Sequence, residues 1–171
     1  LTTKQFVRPT VAEADFYRFG HSVIKDSAYK SLLKRTRAEL HERFVDWAEP
    51  INRERGREME FEEILGYHLE QAYRYRVELG SVDDASGIGE RAAIKLSSAG
   101  QRALARGDIP AAVNLLRRSI GLLPATSAFR LELMVDLGDA NLQQGDFDAA
   151  ANVLDETMAI ADEASHLQFE R

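Results

Sequence analysis

Two segments of this chain repeat one another without a gap, and this self-similarity constrains the fold more than any other feature. AGQRALARGDIPAAVNLLRRSIGLLP, at 99–124, aligns with LGDANLQQGDFDAAANVLDETMAIAD, at 137–162, at a constant offset of 38 residues. In both copies, stretches with helical spacing of apolar residues flank a Gly-Asp pair. A repeat of this length is one supersecondary unit, so the pattern predicts stacked helical hairpins.

The positions shared by the two copies have clear structural roles. Each glycine suits the left-handed residue that ends a helix, and each following aspartate can accept the free amides of the next helix. Each alanine lies one turn into the second helix, where a small side chain lets two helices approach to about 8–10 Å. These positions are Gly107, Asp108 and Ala112 in the first copy and Gly145, Asp146 and Ala150 in the second. We therefore expect tight helical hairpins, best defined at 97–124 and 135–162.

This pattern of glycine, Gly-Asp turn, alanine and leucine resembles the tetratricopeptide repeat, whose period is about 34 residues. The resemblance implies an all-α fold in which helical hairpins stack into a right-handed α-solenoid over 61–171. About three units are needed for a stable stack, so the flanking helices are expected to act as caps.

The chain upstream of the repeats reads as a short strand followed by helices. Aromatic residues at 16–19 favour a strand, and helical spacing of apolar residues begins at Ser22. Thr36 and Glu39 form a capping box that predicts the start of a second helix, which should stop before Pro50. The apolar stripe expected on this helix consists of Leu40, Phe44 and Trp47.

The segment NRERGREME, at 52–60, looks like a polar linker. A third helix should begin near Phe61 and end at Gly80. The following ten residues, SVDDASGIGE, favour turns, and helical patterns resume near Glu90.

Composition narrows the class of protein. The net charge is −6, and it is unevenly spread: residues 1–60 have 12 Lys and Arg against 10 Asp and Glu, while residues 61–171 have 10 against 18. Neither half has the strongly basic face that binding to nucleic acid requires. There is no cysteine and no run of about 18 apolar residues, which favours a cytoplasmic protein without a membrane span. Because the chain starts at Leu1 and stops in an apparent helix, we expect it to be a fragment of a longer protein.

Motifs for catalysis, metal binding or nucleotide binding are incomplete. Residues 87–92 match GxGxxA, but SVDDAS precedes them where a dinucleotide site needs a buried strand, so we interpret them as a helix start. LHERF begins like HExxH, yet Val45 replaces the second histidine. The histidines are dispersed along the sequence, at His21, His41, His68 and His166. His68 lies on an apolar stripe and is interpreted as a core histidine. We expect no enzyme activity, no metal site and no cofactor in this fragment.

Longer segments suggest a family. FGHSVIKDSAYKSLLKRTRAELHERFVDWAE, EILGYHLEQAYRYRVELG and AGQRALARGDIPAAVNLL resemble the region that follows the ATPase module in bacterial STAND-type signalling ATPases. These proteins carry helical repeats and are often fused to an adenylate or guanylate cyclase domain or to a transcriptional activator domain. The resemblance covers about residues 16–123. It implies a winged-helix-like segment at 1–50 and binding of ATP or ADP by the parent protein.

The resemblance also implies a role for His21. In related switch ATPases a histidine at a helix start approaches the phosphates of bound ADP, and by position this residue would be His21, with Asp26 as its helix-borne neighbour. A histidine there can donate to phosphate alongside free amides. The alternative is that His21 caps the helix.

We hypothesise that the chain is a non-catalytic module that binds a protein partner, or other domains of its own parent protein. The polar contacts expected on its repeats are Gln101, Arg102, Asn141 and Gln144. Capture of a C-terminal carboxylate is not expected, because the positions that would need lysine or asparagine hold Ser97, Gln101, Val135 and Asp139. Self-association through the solenoid ends is left open.

The alternative hypothesis is DNA binding by the winged-helix-like segment of a transcriptional regulator. A cluster of basic residues would supply the phosphate contacts, although Glu39 and Glu42 dilute it. The cluster consists of Lys30, Lys34, Arg35 and Arg37. In contrast, the basic and aromatic YRYR at 73–76 is interpreted as a solvated helix face in which Arg74 pairs with Glu70.

Overall fold

The computed structural model describes residues 6–9 and 17–169, apart from the side chains at 8–9, 82–84 and 163–169. The described chain begins with two short antiparallel strands, β1 and β2, paired from Val7 opposite Phe19 to Pro9 opposite Tyr17. Helices follow over the rest of the described chain. The elements are β1 (Val7–Pro9), β2 (Tyr17–Phe19), α1 (Ser22–Ser31), α2 (Lys34–Glu54), α3 (Glu58–Glu78), α4 (Val82–Ala105), α5 (Ile109–Ile120), α6 (Ala128–Gln144) and α7 (Phe147–Phe169). The all-α expectation is confirmed, and the strand expected at 16–19 is present as β2.

From α2 onward, each helix packs against the next, and the short connections reverse the chain direction. Helices α2, α4 and α6 lie side by side, since Lys95 of α4 forms an ion pair with Glu49 of α2 and Gln101 of α4 donates to Asp136 of α6. Helices α3 and α5 are likewise joined, by Glu70 and Arg118. The described helices therefore form two layers whose apolar core lies between them.

The turns of the two repeats have the same local structure. Gly107 and Gly145 have φ values of 78° and 81°, in the left-handed region that favours glycine. In each turn the following aspartate accepts from an amide of the next helix: Asp108 from Ala111 at 3.4 Å, and the equivalent aspartate from Ala149 at 3.1 Å. Ala112 and Ala150 are buried. A Cβ at Gly138 would lie 2.8 Å from Leu154, so the two helices of this hairpin are in close contact.

Helix α2 differs from its sequence-based expectation at both ends. It starts at Lys34 rather than at a Thr36 cap, and Leu33 occupies the N-cap position without a side-chain hydrogen bond. It also continues through Pro50 to Glu54, although proline removes one backbone hydrogen bond. The burial of residues on both sides of Pro50 offsets that loss. The expected linker at 52–60 is thus wrong: α2 and α3 are joined by a three-residue turn centred on Gly56.

The buried face of α2 is also rotated from the predicted stripe. Leu40 and Trp47 are among the exposed large apolar side chains, and Phe44 is half-buried. The residues that face the core are smaller or polar, which suits the close packing of α2 against its neighbours. They are Ala38, His41, Val45, Ala48 and Asn52.

Helix α4 extends through the segment that was expected to form turns. It begins at Val82, so the GxGxxA match lies inside the helix instead of at its start. Gly89 is buried where a Cβ would lie 2.9 Å from the ring of Tyr73 and 3.0 Å from the carbonyl oxygen of Leu122. Close packing against these neighbours accounts for the glycine at this position.

We expect alanine to have opposite effects at the two glycines of this motif. Gly89→Ala should lower the free energy of unfolding by about 1–3 kcal/mol, because Tyr73 and a backbone carbonyl must move. Gly87 has no atom within 4 Å of an added Cβ, so Gly87→Ala should raise it by about 0.5–1 kcal/mol through helix propensity. Urea denaturation followed by circular dichroism measures both. Equal changes at the two sites would contradict the close approach at Gly89.

Candidate interaction face

One surface of the helical array is formed by α2, α4 and α6, and we call it the α2–α4–α6 face. Four contacts between the helices define it. Arg91 contacts Asp46 and Glu49 at 3.5 and 3.4 Å, Lys95 contacts Glu49 at 2.5 Å, and Gln101 donates to Asp136 at 2.7 Å. Residues at helical spacing from these positions share the same side of each helix.

Apolar side chains are exposed among these polar contacts. Ile94, Val135 and Leu142 are 51%, 52% and 46% exposed. Ile94 lies one turn from Arg91 on α4. On α6, Asp139 lies one turn from Asp136, and Val135 and Leu142 each lie about one turn from Asp139. Isolated exposed apolar residues are ordinary, but three on neighbouring helices of one face offer contacts to another protein.

The charges on this face are paired between α2 and α4 but not on α6. A hydrogen bond from Lys95 holds the pKa of Glu49 below its ordinary value, although burial opposes this shift, and Arg91 contributes to it. Asp139 accepts from Gln143 at 2.9 Å. Gln143 and Gln101 are neutral, so in the described structure Asp139 and Asp136 have no basic partner on α6. A partner therefore meets paired charges beside Ile94, but acidic groups beside Val135 and Leu142.

The four predicted contact residues occupy different environments. Gln101 lies on the α2–α4–α6 face, and Gln144 is exposed at the end of α6. Arg102 instead joins α4 to α3 through an ion pair with Glu62 and a hydrogen bond to the carbonyl of Met59 at 3.1 Å. Asn141 is only 1% exposed, so it does not lie on an accessible surface.

Sequence reasoning missed Ile94 and Leu142 as contact residues. Ile94 lies outside the two aligned segments, where an apolar side chain at a helical position without a role in the repeat could have identified it. Leu142 aligns with Leu104, which packs against the core, so the repeat pattern gave no signal that Leu142 is exposed.

His21 occupies the N-cap position of α1, as one alternative expected. Its side chain makes no capping hydrogen bond; only its carbonyl oxygen accepts, from Ile24 and Lys25. The imidazole is exposed, and Asp26 contacts Lys25 at 3.5 Å. The side chain of His21 is therefore available to a group outside the described chain.

A second cluster joins α1 to α2 and α3. The buried ring of His41 contacts the Tyr29 hydroxyl through Nε2 and the Nδ1 of His68 through its own Nδ1, both at 2.7 Å. Tyr29 also donates to Tyr75 at 3.1 Å. The Nδ1–Nδ1 contact needs one proton, so the two rings are opposite in donor and acceptor role. The 2.7 Å distance between the two Nδ1 atoms fits a hydrogen bond. If both nitrogens bound one zinc ion, each at about 2.0–2.1 Å from the metal in tetrahedral geometry, they would lie further apart than this.

This cluster keeps both histidines uncharged near neutral pH. Burial, together with repulsion from His68, lowers the pKa of His41 to about 4. Burial also lowers the pKa of His68, which agrees with its interpretation as a core histidine. Burial and the hydrogen bond to Tyr75 raise the pKa of Tyr29, so its hydroxyl stays protonated. The arrangement is suited to fastening α1 onto the α2–α3 hairpin.

Most of the basic residues considered for DNA binding are engaged within the protein. Arg37 donates to the carbonyls of Lys30 and Leu32 at 2.7 and 3.1 Å, and its guanidinium lies over the Tyr29 and Tyr75 rings. Arg35 pairs with Glu39 at 3.2 Å, and Lys34 pairs with Glu78 at 3.0 Å. Two of the four charges are thus paired with carboxylates, and the Arg37 side chain is held against neighbouring carbonyls and rings.

In the described part of the chain, no helix has the length and apolar character needed to cross a membrane. Nor do three His, Asp or Glu side chains within it lie close enough together to hold a metal ion; the side chain of His166 lies outside the described residues. Comparison of the chain with models of known families finds no match, and comparison with curated proteins likewise finds none.

Proposed function

We propose that this chain is a non-catalytic protein-interaction module that binds a partner through its α2–α4–α6 face. The observation that carries the proposal is the exposure of Ile94, Val135 and Leu142 on neighbouring helices of one face. Because packed helices hold these side chains, little ordering entropy is lost when a partner binds. The partner chemistry that fits is a peptide segment with apolar side chains at its centre and basic residues beside them, which can pair with Asp136 and Asp139.

Two features support the further proposal that the helices form a tetratricopeptide-like right-handed solenoid. The Gly-Asp turns recur with the same local geometry, and successive helices alternate between two layers. Solenoids of this kind commonly present an extended binding surface. The resemblance to STAND-type ATPases supports the proposal that the module belongs to a cytoplasmic bacterial signalling protein, with another protein or a domain of the same parent as its partner.

The exposed imidazole of His21 is compatible with a contact to nucleotide held by an ATPase domain of that parent. The DNA-binding alternative has less support, because Arg35 and Arg37 already have partners within the chain.

Selection from a library of displayed linear peptides tests the proposed interaction. We expect enrichment of peptides with apolar centres, and Val135→Glu should weaken their binding at least about tenfold, or about 1.4 kcal/mol, because it places a charge in the contact. Met158→Glu is the matched control, since Met158 is also an exposed apolar residue but lies on α7.

Equal binding of the selected peptides to wild type and Val135→Glu would contradict the proposed face. Failure to enrich any peptide, together with DNA binding at low salt that alanine at Arg35 abolishes, would favour the DNA-binding alternative.

A further inference from the structure

A groove lies where α2 ends and α3 begins, on a different side of α2 from Asp46 and Glu49. Its volume is about 480 Å³, which is within the range of small-molecule sites, about 300–1,000 Å³. Aromatic rings of Phe44, Trp47 and Phe61 line it, with Ile51 between the α2 rings and the turn. A flat apolar molecule would therefore find ring surfaces contributed by both helices.

Two polar groups in this groove have no partner within the described chain. Asn52 is only 8% exposed, yet its side-chain amide makes no hydrogen bond to a described residue. The Asn52 amide is not one of the fully enclosed unpaired groups of the described chain, so it is open to the groove and can hydrogen-bond a ligand there.

Arg55 is the second of these groups. Its neighbours Arg53 and Arg57 form ion pairs with Glu58 and Glu60 at 3.1 and 2.8 Å. In the described structure, Arg55 has no such carboxylate. Arg55 is the C-cap residue of α2, three residues after Asn52, and both line the groove, so they can reach one ligand group.

We propose that this groove binds a small aromatic carboxylate. The aromatic part lies against Phe44 and Phe61, and the carboxylate oxygens accept from the Arg55 guanidinium and the Asn52 amide. Charge-assisted hydrogen bonds from a guanidinium to a carboxylate are among the stronger polar contacts. Asn52 also lines a smaller cavity with Glu49 and Lys95 of the α2–α4–α6 face, but the rings and Arg55 do not, and the proposal does not depend on the function proposed for that face.

Titration with 3-phenylpropionate and its neutral amide, 3-phenylpropanamide, tests the site. Trp47 is the chain's single tryptophan and lies in the groove, so its fluorescence reports occupancy directly. For a ligand of this size we expect a Kd of about 0.1–1 mM for the acid, and at least about tenfold weaker binding of the amide.

Arg55→Gln should weaken binding of 3-phenylpropionate about tenfold, without changing binding of the amide. Arg106→Gln is a matched control, because Arg106 also ends a helix immediately before a left-handed glycine, Gly107. It should leave both affinities unchanged. Circular dichroism shows whether each variant keeps its fold, and Asn52→Leu provides a second variant that removes the amide while keeping the groove apolar.

The proposal is overturned if the acid and amide bind equally, if Arg55→Gln binds the acid like wild type, or if neither probe gives saturable binding. In the last case, Arg55-dependent binding of an acidic amphipathic peptide would assign the groove to a protein helix instead.

Discussion

Glu70→Ala is expected to destabilise the protein by about 3–5 kcal/mol, the range for removing one partner of a buried ion pair. Glu70 is only 2% exposed on α3, and it accepts from Arg74 at 2.7 Å and from Arg118 at 2.5 and 3.0 Å. Arg118 belongs to α5, so the carboxylate joins two helices that are not consecutive in sequence. Truncation leaves the partly buried guanidinium without its acceptor.

Urea denaturation of wild type, Glu70→Ala and the double variant Glu70→Leu/Arg118→Met measures this effect. The double variant should be much less destabilised, since apolar replacement of both partners removes the unpaired charge. A loss below about 1 kcal/mol for Glu70→Ala would contradict the prediction, because exposed ion pairs contribute that little.

Acid is expected to destabilise the fold through His41. Its pKa is about 4 in the folded protein and 6.5 for the unperturbed group, so the unfolded chain binds more protons between these values. The contribution of uncharged His41 to the free energy of unfolding is therefore fully present above pH 6.5 and is lost as pH falls towards 4. Within this window, the free energy of unfolding should drop by up to about 1.4 kcal/mol for each pH unit from His41. His68 adds to the loss, because its pKa is also lowered.

Urea denaturation at several pH values between 7 and 5 gives the free energy of unfolding of wild type and of His41→Gln, whose side chain cannot titrate there. The free energy of unfolding should fall less steeply with pH in the variant, whatever its value at pH 7. Tyr29→Phe is the matched control: it removes the hydroxyl at Nε2 but leaves burial, the main cause of the shift, in place. Equal slopes for wild type and His41→Gln would exclude His41 as the source.

The two predictions concern clusters that join different helices. Glu70 joins the layer of α3 and α5, whereas His41 and Tyr29 fasten α1 to the hairpin beside it. Neither cluster lies on the α2–α4–α6 face. Variants in these clusters should therefore change stability without directly altering the surface proposed for a partner.

Parts of the candidate sites were accessible to sequence reasoning. The pairing of Arg74 with Glu70 follows from i, i+4 spacing on a helix, but the burial of that pair and the contribution of Arg118 do not. Likewise, an apolar stripe placed His68 among core positions, while its contact with His41, 27 residues away, depends on how α2 and α3 cross. The groove was not anticipated, because α2 was expected to stop before Pro50 and its last turn supplies Asn52.

The sequence by itself determined the helical class and the turns of the two repeats, since glycine with positive φ and a capping aspartate act within a few residues of each other. Only the tertiary structure decided where α2 and α4 begin and end, and which side of α2 faces the core. Proline and glycine at Pro50, Gly87 and Gly89 make the helix less favourable by roughly 1–3 kcal/mol per residue. Burial of apolar surface against neighbouring helices can contribute more free energy than this. Such neighbours are distant in sequence, so no local pattern contains them.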